Sequence, residues 1–211
     1  MDHVRQISNL PHTEIAALAE QYGAPLCWTR EIVVAEKSFA WWREIAQDRP
    51  GEIVLVVARP NGRVLLHTKS FYPPGTYRLM TGGLKFGEPI ADAAQRELVE
   101  ETGLRVPLAR FLGVIEYAIT HADARAQVRF VSYIFRTGET RDAPSPTDPD
   151  ERIADFREIA WSEISQIADA LENLPDDWRD WGFLRAVPHR LVAEIVTIGA
   201  SSFSPVFSDV V

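Results

Sequence analysis

Residues 82–104 of this 211-residue chain read GGLKFGEPIADAAQRELVEETGL. The stretch predicts a helix from about Glu88 to Thr102. Pro89 suits the first turn, where its missing N–H needs no partner, and Gly103 is the residue type that commonly ends a helix. Residues 88–101 carry five carboxylates and one arginine, a net charge of −4. Because like charges on one helix repel, this helix needs either solvent or a bound cation.

The spacing of three glutamates favours the cation. At about 100° per residue, Glu97, Glu100 and Glu101 share a sector of roughly 100° and span about one helical turn. The same sector, toward the other end of the helix, carries the apolar residues Ile90, Ala93 and Ala94. A purely solvated acidic face, the alternative, would lie opposite the packed residues. Converging carboxylates are suitable ligands for hard divalent cations such as Mg²⁺.

Neighbouring residues are placed to support these carboxylates. Arg96 lies four residues before Glu100, where it can pair with that side chain and orient it. Glu88, near the start of the helix, is favoured there by the helix dipole and can cap free N–H groups. Gly82 and Gly83 let the backbone approach a metal or ligand closely. The stretch therefore has the parts of a metal site and its supports.

The complete set of positions matches a known signature. Gly82, Glu88 and Gly103 stand at the required spacings around the runs 96–98 and 100–101, in the pattern G-x5-E-x7-R-E-U-x-E-E-x-G-U, with U a bulky aliphatic residue. The two aliphatic positions are Leu98 and Leu104. The stretch resembles the box of the Nudix hydrolase family. It is specific, because seven fixed and two restricted positions all agree.

The resemblance implies a reaction. Nudix enzymes hydrolyse a nucleoside diphosphate linked to another moiety, usually with Mg²⁺ or Mn²⁺ as cofactor. Transferred to this chain, Glu97, Glu100 and Glu101 would bind metal, Gly82 would add its carbonyl, and Arg96 would belong to the catalytic set. The general base varies within the family.

Three further groups of residues are expected near this site. Glu97 is one candidate base, and a carboxylate on a later loop, Glu151 or Asp155, is a candidate base or extra ligand. Candidate substrate contacts precede or enter the box, namely Arg78, Tyr77 and Phe86. The chain departs from many relatives at Met80-Thr81, where Pro-Gly is common, and at Lys85, where an acid is common. The substrate is therefore left open beyond a small-molecule nucleotide derivative.

The rest of the chain predicts an α/β (α+β) fold, an α/β/α sandwich with a mixed β-sheet. Strands are expected over 52–59 and 63–67, joined by the Pro60-Asn61-Gly62 turn, and later over 78–80, 109–120, 126–137 and 156–161. Helices are expected over 11–23, over 162–171 with Ser162 as its cap, and over 178–198 with an interruption near Pro188. The aromatic run 39–42 is expected to be strand-like or irregular.

These elements divide the chain into three parts. Residues 1–50 form an N-terminal extension of a helix plus a strand, residues 51–174 the Nudix domain, and residues 175–211 a C-terminal helix with a mobile tail. The C-terminal aromatic residues are expected to pack on the body of the chain or on a second copy in a homodimer.

Composition excludes several classes. A formal net charge of −8 argues against bulk nucleic-acid binding, which needs a basic surface. Cys27 is the single cysteine, so an internal disulfide and a multi-cysteine zinc site are excluded. Apolar runs are too short to cross a membrane, and the first ten residues lack the apolar core of a signal peptide, so a cytoplasmic location is expected.

Two alternatives to hydrolysis stay open. A Nudix-like module could bind a nucleotide and regulate a partner without turnover, although eroded glutamates or an attached DNA-binding segment would be more typical of it. A diphosphate isomerase on the same fold would need a suitably placed catalytic cysteine, for which Cys27 is the single candidate.

Overall fold

The computed structural model of the chain describes residues 10–121 and 126–202, with side chains up to residue 199. The helices are α1 His12–Tyr22, α2 Glu36–Asp48, α3 Ile90–Thr102, α4 Ile164–Glu172 and α5 Arg179–Ser202. The strands are β1 Leu26–Val34, β2 Gly51–Arg59, β3 Arg63–Lys69, β4 Met80–Leu84, β5 Leu108–His121, β6 Gln127–Thr137 and β7 Ile153–Ala160. Most of the connection expected at 121–125 and of the expected mobile tail lies outside the described residues.

The strands form one mixed sheet. Its order is β1-β5-β6-β2-β3-β7, and β4 pairs with the first half of β2. The β1–β5 and β2–β6 pairs are parallel, whereas β2–β3, β2–β4, β3–β7 and β5–β6 are antiparallel. The predicted hairpin turn after β2 is confirmed, with positive φ angles of 61° at Asn61 and 65° at Gly62.

Strand β2 lies at the centre of two hydrophobic cores. Its nine residues are all buried, because helices cover both faces of the sheet here. Ile53, Leu55 and Val57 pack in the core that contains α1 and α3 residues. Val54 and Val56 alternate with them and pack in the core on the other face, with residues of α2, α4 and α5. The predicted α/β/α sandwich with a mixed sheet is confirmed.

The aromatic run at residues 39–42 is helical, so the expectation of strand-like or irregular structure is wrong. Phe39 and Trp42 lie three positions apart on one face of α2, and both are buried against the sheet. The Trp42 ring contacts the Phe130 ring of β6 edge-on, with centroids 5.1 Å apart. Aromatic residues favour strands by propensity, but this packing of one helical face outweighs that preference.

Two details of the C-terminal helices also differ from expectation. Helix α5 continues through Pro188 instead of being interrupted there. Leu184, Leu191 and Val192, on both sides of the proline, are buried in the sheet-facing core, and their burial offsets the lost backbone hydrogen bond. Ser162 does not cap α4; it lies in a short 3-10 helix where the Glu163 carboxylate accepts the Ala160 N–H at 2.6 Å.

The described segments on either side of the predicted Nudix domain, residues 10–50 and 175–202, are part of the same architecture. β1 extends the sheet at the β5 edge, and α5 covers one face. The division at residues 50 and 174 stays a prediction. Within residues 10–121 and 126–202, no helix combines the length and apolar character that a membrane crossing needs.

Candidate functional site

Helix α3 and strand β4 together present the carboxylates of the box. The helix ends where predicted, with Gly103 at φ 70° and its N–H bonded to the Val99 carbonyl at 2.8 Å. Glu97 and Glu101 are buried, whereas the Glu100 side chain is 31% exposed. The glutamates therefore continue the packed face of α3, as their spacing predicts.

Gly82 leaves room for one of these carboxylates. A Cβ added at this glycine would lie 1.7 Å from Cδ of Glu97, far inside van der Waals contact. The β4 backbone and the Glu97 side chain are in direct contact for that reason. This close approach keeps the Gly82 carbonyl as a candidate ligand beside Glu97.

Arg96 connects the carboxylates of the box. Its guanidinium donates two hydrogen bonds to Glu88, of 2.7 and 2.9 Å. It also donates to Glu97 at 2.6 Å, to Glu100 at 2.7 Å and to the Gly83 carbonyl at 2.8 Å. The predicted pairing with Glu100 is present, and one planar cation holds three carboxylates in place.

Glu88 stabilises the site by a different contact from the expected one. It does not cap the free N–H groups of α3, because its carboxylate is bonded to Arg96 and to the Lys85 N–H. The Ile90 N–H at the start of α3 instead donates to Glu14 of α1, at 2.6 Å. The hydrogen bonds from Arg96 lower the pKa of Glu88, so its charge is fixed in the network.

Glu101 is the most deeply buried carboxylate of the box. It has no solvent exposure, and neither carboxylate oxygen has a hydrogen-bond partner in the part of the chain that the structure describes. The Lys69 ammonium of β3 lies 3.1 Å from its Oε1, and Nδ1 of His67 lies 3.9 Å from the same atom. Burial raises the pKa of Glu101 to about 7, although Lys69 and Arg78 oppose the rise.

Burial also sets the charge states around Glu101. It raises the pKa of Glu97, against the opposing effect of Arg96. It lowers the pKa of His67 well below the ordinary value, and the charges of Arg78 and Lys69 add to the effect, so His67 is neutral. Both ring nitrogens of His67 lack a hydrogen-bond partner among the described residues. The site thus combines carboxylates that are costly to ionise with unsatisfied polar atoms.

Glu151, a predicted base or extra ligand, does lie at this site. Its Oε2 contacts the Lys69 ammonium, which in turn lies beside Glu101. The loop before it is tied to α3, since the N–H groups of Thr147 and Asp148 donate to the Glu100 carbonyl. Arg152 follows in the left-handed conformation at φ 54°, unusual for a residue with a side chain. The loop is therefore held in place beside the box.

Asp155 lies on the face of the sheet opposite to the carboxylates of the box. It pairs with Thr68 in the β3–β7 ladder, and successive residues of β3 face opposite sides, so it lies on the other face from His67. Its exposed carboxylate accepts a hydrogen bond of 2.5 Å from the Tyr77 hydroxyl. The structure does not bring Asp155 to the carboxylates of the box.

The three candidate substrate contacts differ in how accessible their side chains are to a ligand. Arg78 is 3% exposed, and its guanidinium is bonded to the Tyr72 hydroxyl, the Leu79 carbonyl and Oγ1 of Thr81. The Tyr77 hydroxyl is occupied by Asp155. Phe86 is 64% exposed and lines a cavity of about 720 Å³ that also reaches Lys85 and Glu88. Of the three, Phe86 is the one available for contact with a ligand.

The donor set fits a hard divalent cation. Within the ranges 10–121 and 126–202, no three side chains of His, Cys, Asp or Glu already surround one point, because Arg96 holds Glu97 and Glu100 while Lys69 lies at Glu101. The two oxygens of Glu101, which accept no hydrogen bond from the described residues, are nevertheless buried carboxylate ligands of the type that Mg²⁺ and Mn²⁺ take.

Sequence reasoning did not connect His67 or Lys69 with the carboxylates of the box. Both are on the same face of β3 as Leu65, which packs in the core beneath α3. The alternation of strand residues could have indicated that His67 and Lys69 share this face. Their proximity to Glu101 needs the packing of α3 on the sheet, which the sequence alone does not reveal.

The comparison with protein families agrees with the geometry. The NUDIX domain model matches residues 48–187, about two thirds of the chain. The chain therefore belongs to the Nudix hydrolases, enzymes that act on pyrophosphate bonds, and the predicted family is confirmed.

Individual relatives match shorter segments of this chain than the family model does. An octanoyltransferase of Myxococcus xanthus is 35% identical over 129 residues, 60% of this chain and 33% of that protein. Nudix hydrolase 19, chloroplastic, of Arabidopsis thaliana is 40% identical over 57 residues, 27% of this chain and 13% of that protein. This chain thus spans a third or less of either relative. The crystal structure of a MutT protein from Methanosarcina mazei Go1 is 16% identical, with a TM-score of 0.44 over 67% of this chain and 96% of that chain.

Proposed function

We propose that this chain hydrolyses a phosphoanhydride bond in a nucleoside diphosphate linked to another moiety, with Mg²⁺ or Mn²⁺ as cofactor. The observation that carries the proposal is the buried Glu101 carboxylate, which accepts no hydrogen bond from the described residues, has the Lys69 ammonium beside one oxygen, and adjoins the Glu97–Arg96–Glu100 network. Glu97, Glu100 and Glu101 would hold the metal, with the Gly82 carbonyl as a further ligand. When bound, the divalent cation neutralises pyrophosphate oxygens and activates water for attack on phosphorus.

The chain's own residues position this chemistry. Arg96 orients Glu97 and Glu100, and Glu88 fixes Arg96 from its other side. The proton of the attacking water needs an acceptor, and Glu97 and Glu151 are the two candidates. The raised pKa of Glu97 suits a proton acceptor. Asp155 is left out of the proposed site because it faces the other side of β3.

The cavity of about 720 Å³ supports a nucleotide-sized substrate. Its volume lies in the range of small-molecule sites, roughly 300–1,000 Å³. Phe86 offers an exposed ring for stacking on a base, and Lys85 offers a positive charge. Glu88 lines the cavity and binds Arg96, so these two residues connect a substrate in the cavity to the metal-binding carboxylates.

Cys27 does not support the isomerase alternative. It is an exposed residue of β1, and the partial burial of its thiol, together with the charge of Glu116, raises its pKa. An activated cysteine needs the opposite shift. The sensing module stays the second candidate, and turnover separates the two functions.

Loss of the Glu101 charge should slow hydrolysis. We expect the full chain with Mg²⁺ to cleave at least one member of a panel of nucleotide sugars, ADP-ribose, dinucleotides and (deoxy)nucleoside triphosphates. Glu101→Gln removes one charge that would hold the metal, so the rate should fall by a factor on the order of 10² to 10³. Product chromatography gives the rates, and reaction in ¹⁸O-labelled water shows which phosphorus is attacked.

Glu194→Gln is the matched control, because Glu194 is exposed on α5. It should keep the full rate. Tight binding of a panel member without cleavage, in the presence of either metal, would favour the sensing module instead. An equal rate in Glu101→Gln and the unmodified chain would contradict the proposed site.

A further inference from the structure

The Lys69 side chain lies between two carboxylates in the interior. Its ammonium is 3.1 Å from Oε1 of Glu101 and directly contacts Oε2 of Glu151. The lysine side chain is 10% exposed, and Glu101 is not exposed at all. A lysine ammonium is a compact point charge, which makes it the side-chain group most similar in form to a bound metal ion.

The backbone holds this arrangement from two sides. The Ser70 N–H donates to the Arg152 carbonyl at 3.0 Å, so the end of β3 is fixed to the loop that carries Glu151. Lys69 itself pairs with Ile153 across the β3–β7 ladder. The position of the ammonium between Glu101 and Glu151 is thus a consequence of the sheet edge and its loop, which are ordered elements.

The charge balance assigns Lys69 a specific role. Five carboxylates form the described cluster, namely Glu88, Glu97, Glu100, Glu101 and Glu151. Two cations form ion pairs with them, namely Arg96 and Lys69. With all of these groups ionised the net charge is −3, so one divalent ion leaves −1 and a second would reverse the sign. Without the lysine charge it would be −4, which two divalent ions neutralise.

We propose that Lys69 is a built-in cation that takes the place of a second divalent ion between Glu101 and Glu151. The protein free of substrate then binds one divalent ion, and the same chain without this positive charge binds two. The inference rests on the proposed function for the existence of a metal site. Lys69 is a positioning residue in this role, because it acts through the two carboxylates.

The test counts ions in the absence of nucleotide. The metal-free full chain is titrated with Mn²⁺, and free Mn²⁺ is followed by electron paramagnetic resonance. We expect one tightly bound ion in the unmodified chain and two in Lys69→Met, with the affinity at the second position raised at least tenfold. Lys37→Met is the matched control, since Lys37 is exposed on α2, and it should bind one ion.

A double variant identifies the location of the second ion. Glu151→Gln in the Lys69→Met background removes one of its carboxylates and should return the count to one. Two ions in the unmodified chain, one in folded Lys69→Met, or two in Lys37→Met would each overturn the proposal. The count in the unmodified chain needs no variant, so misfolding of Lys69→Met leaves the proposal testable. One bound ion without hydrolysis of any panel member would reject the proposed function and leave this inference standing.

Discussion

Arg96 brings three carboxylates together, two from α3 and one from the turn before it. Its planar group satisfies Glu88, Glu97 and Glu100 together, at distances of 2.6 to 2.9 Å. The sequence predicts the pairing with Glu100, because residues four apart on a helix are neighbours. It does not predict the bidentate contact with Glu88, which lies before the helix and reaches Arg96 through the turn after β4. Contacts between residues on one helix follow from spacing, whereas contacts across a turn need its conformation.

Arg96→Met should destabilise the metal-free protein. The three carboxylates lose their shared cation, and the partly buried position predicts a decrease of about 2–3 kcal/mol in the free energy of unfolding. Excess Mg²⁺ should recover part of this decrease, because an ion that binds the folded state alone stabilises it. Urea denaturation with chelator and with Mg²⁺ measures both effects. Arg105→Met, at an exposed arginine, is the control, and equal losses in the two variants would contradict the role of Arg96.

At the scale of elements, α5 is attached to the sheet by a buried histidine. Nε2 of His189 accepts the Leu79 N–H at 3.0 Å, and Nδ1 contacts the Arg185 carbonyl at 2.8 Å, so the proton is on Nδ1. The helix and its proline are visible in the sequence, and the run of apolar positions predicts an amphipathic helix. Its continuity through Pro188 is not predictable locally, since it depends on what both halves pack against.

His189 makes stability depend on pH. Burial lowers its pKa to about 3 in the folded state, against about 6.5 unfolded. Its contribution is therefore complete above pH 6.5 and is lost as pH falls toward 3. Between pH 7.5 and pH 5.5 the chain should lose about 1.4 kcal/mol of unfolding free energy through this group. Urea denaturation at the two pH values measures the loss, and His189→Gln should lack the part of it that comes from this histidine.

His121→Gln provides the comparison for that experiment. His121 is a half-buried histidine at the end of β5. Its variant should keep the pH-dependent loss of the unmodified chain. If His189→Gln and the unmodified chain lost the same free energy between the two values, the neutral, buried state of His189 would be contradicted.

For the whole molecule, the least predictable feature is how the N-terminal segment joins the sheet. β1 pairs in parallel with β5 from Leu26 opposite Gly113 to Val34 opposite His121. The apolar alternation of β5 and β6 and their short connection indicate an antiparallel pair. A parallel partner more than 80 residues earlier in the chain leaves no local pattern, because such pairing depends on the complete core. The box, in contrast, is a local sequence pattern and was recognisable as a motif, although the contacts of Glu88 within it were not predicted.

Removing β1 should expose the edge of the sheet. A chain that begins at residue 36 lacks α1 as well as β1 and leaves the long strand β5 without its outer partner, and such edges associate with other chains. We expect soluble oligomers or aggregates by size-exclusion chromatography with light scattering. A chain that begins at residue 10 keeps every described element and should have the same oligomeric state as the full chain. Identical behaviour of the two shortened chains would show that β1 is dispensable.

The contact between Gly82 and Glu97 restricts which sequences can form this site. Even a methyl group at position 82 would occupy the space of the Glu97 carboxylate. In a library that varies both positions, selection for folded protein should therefore couple them. A larger residue at 82 needs either a shorter residue at 97 or a Glu97 side chain turned aside, and in both cases the carboxylate's position is lost. Glycine at 82 is thus a condition for the glutamate fifteen residues later, although neither position alone reveals it.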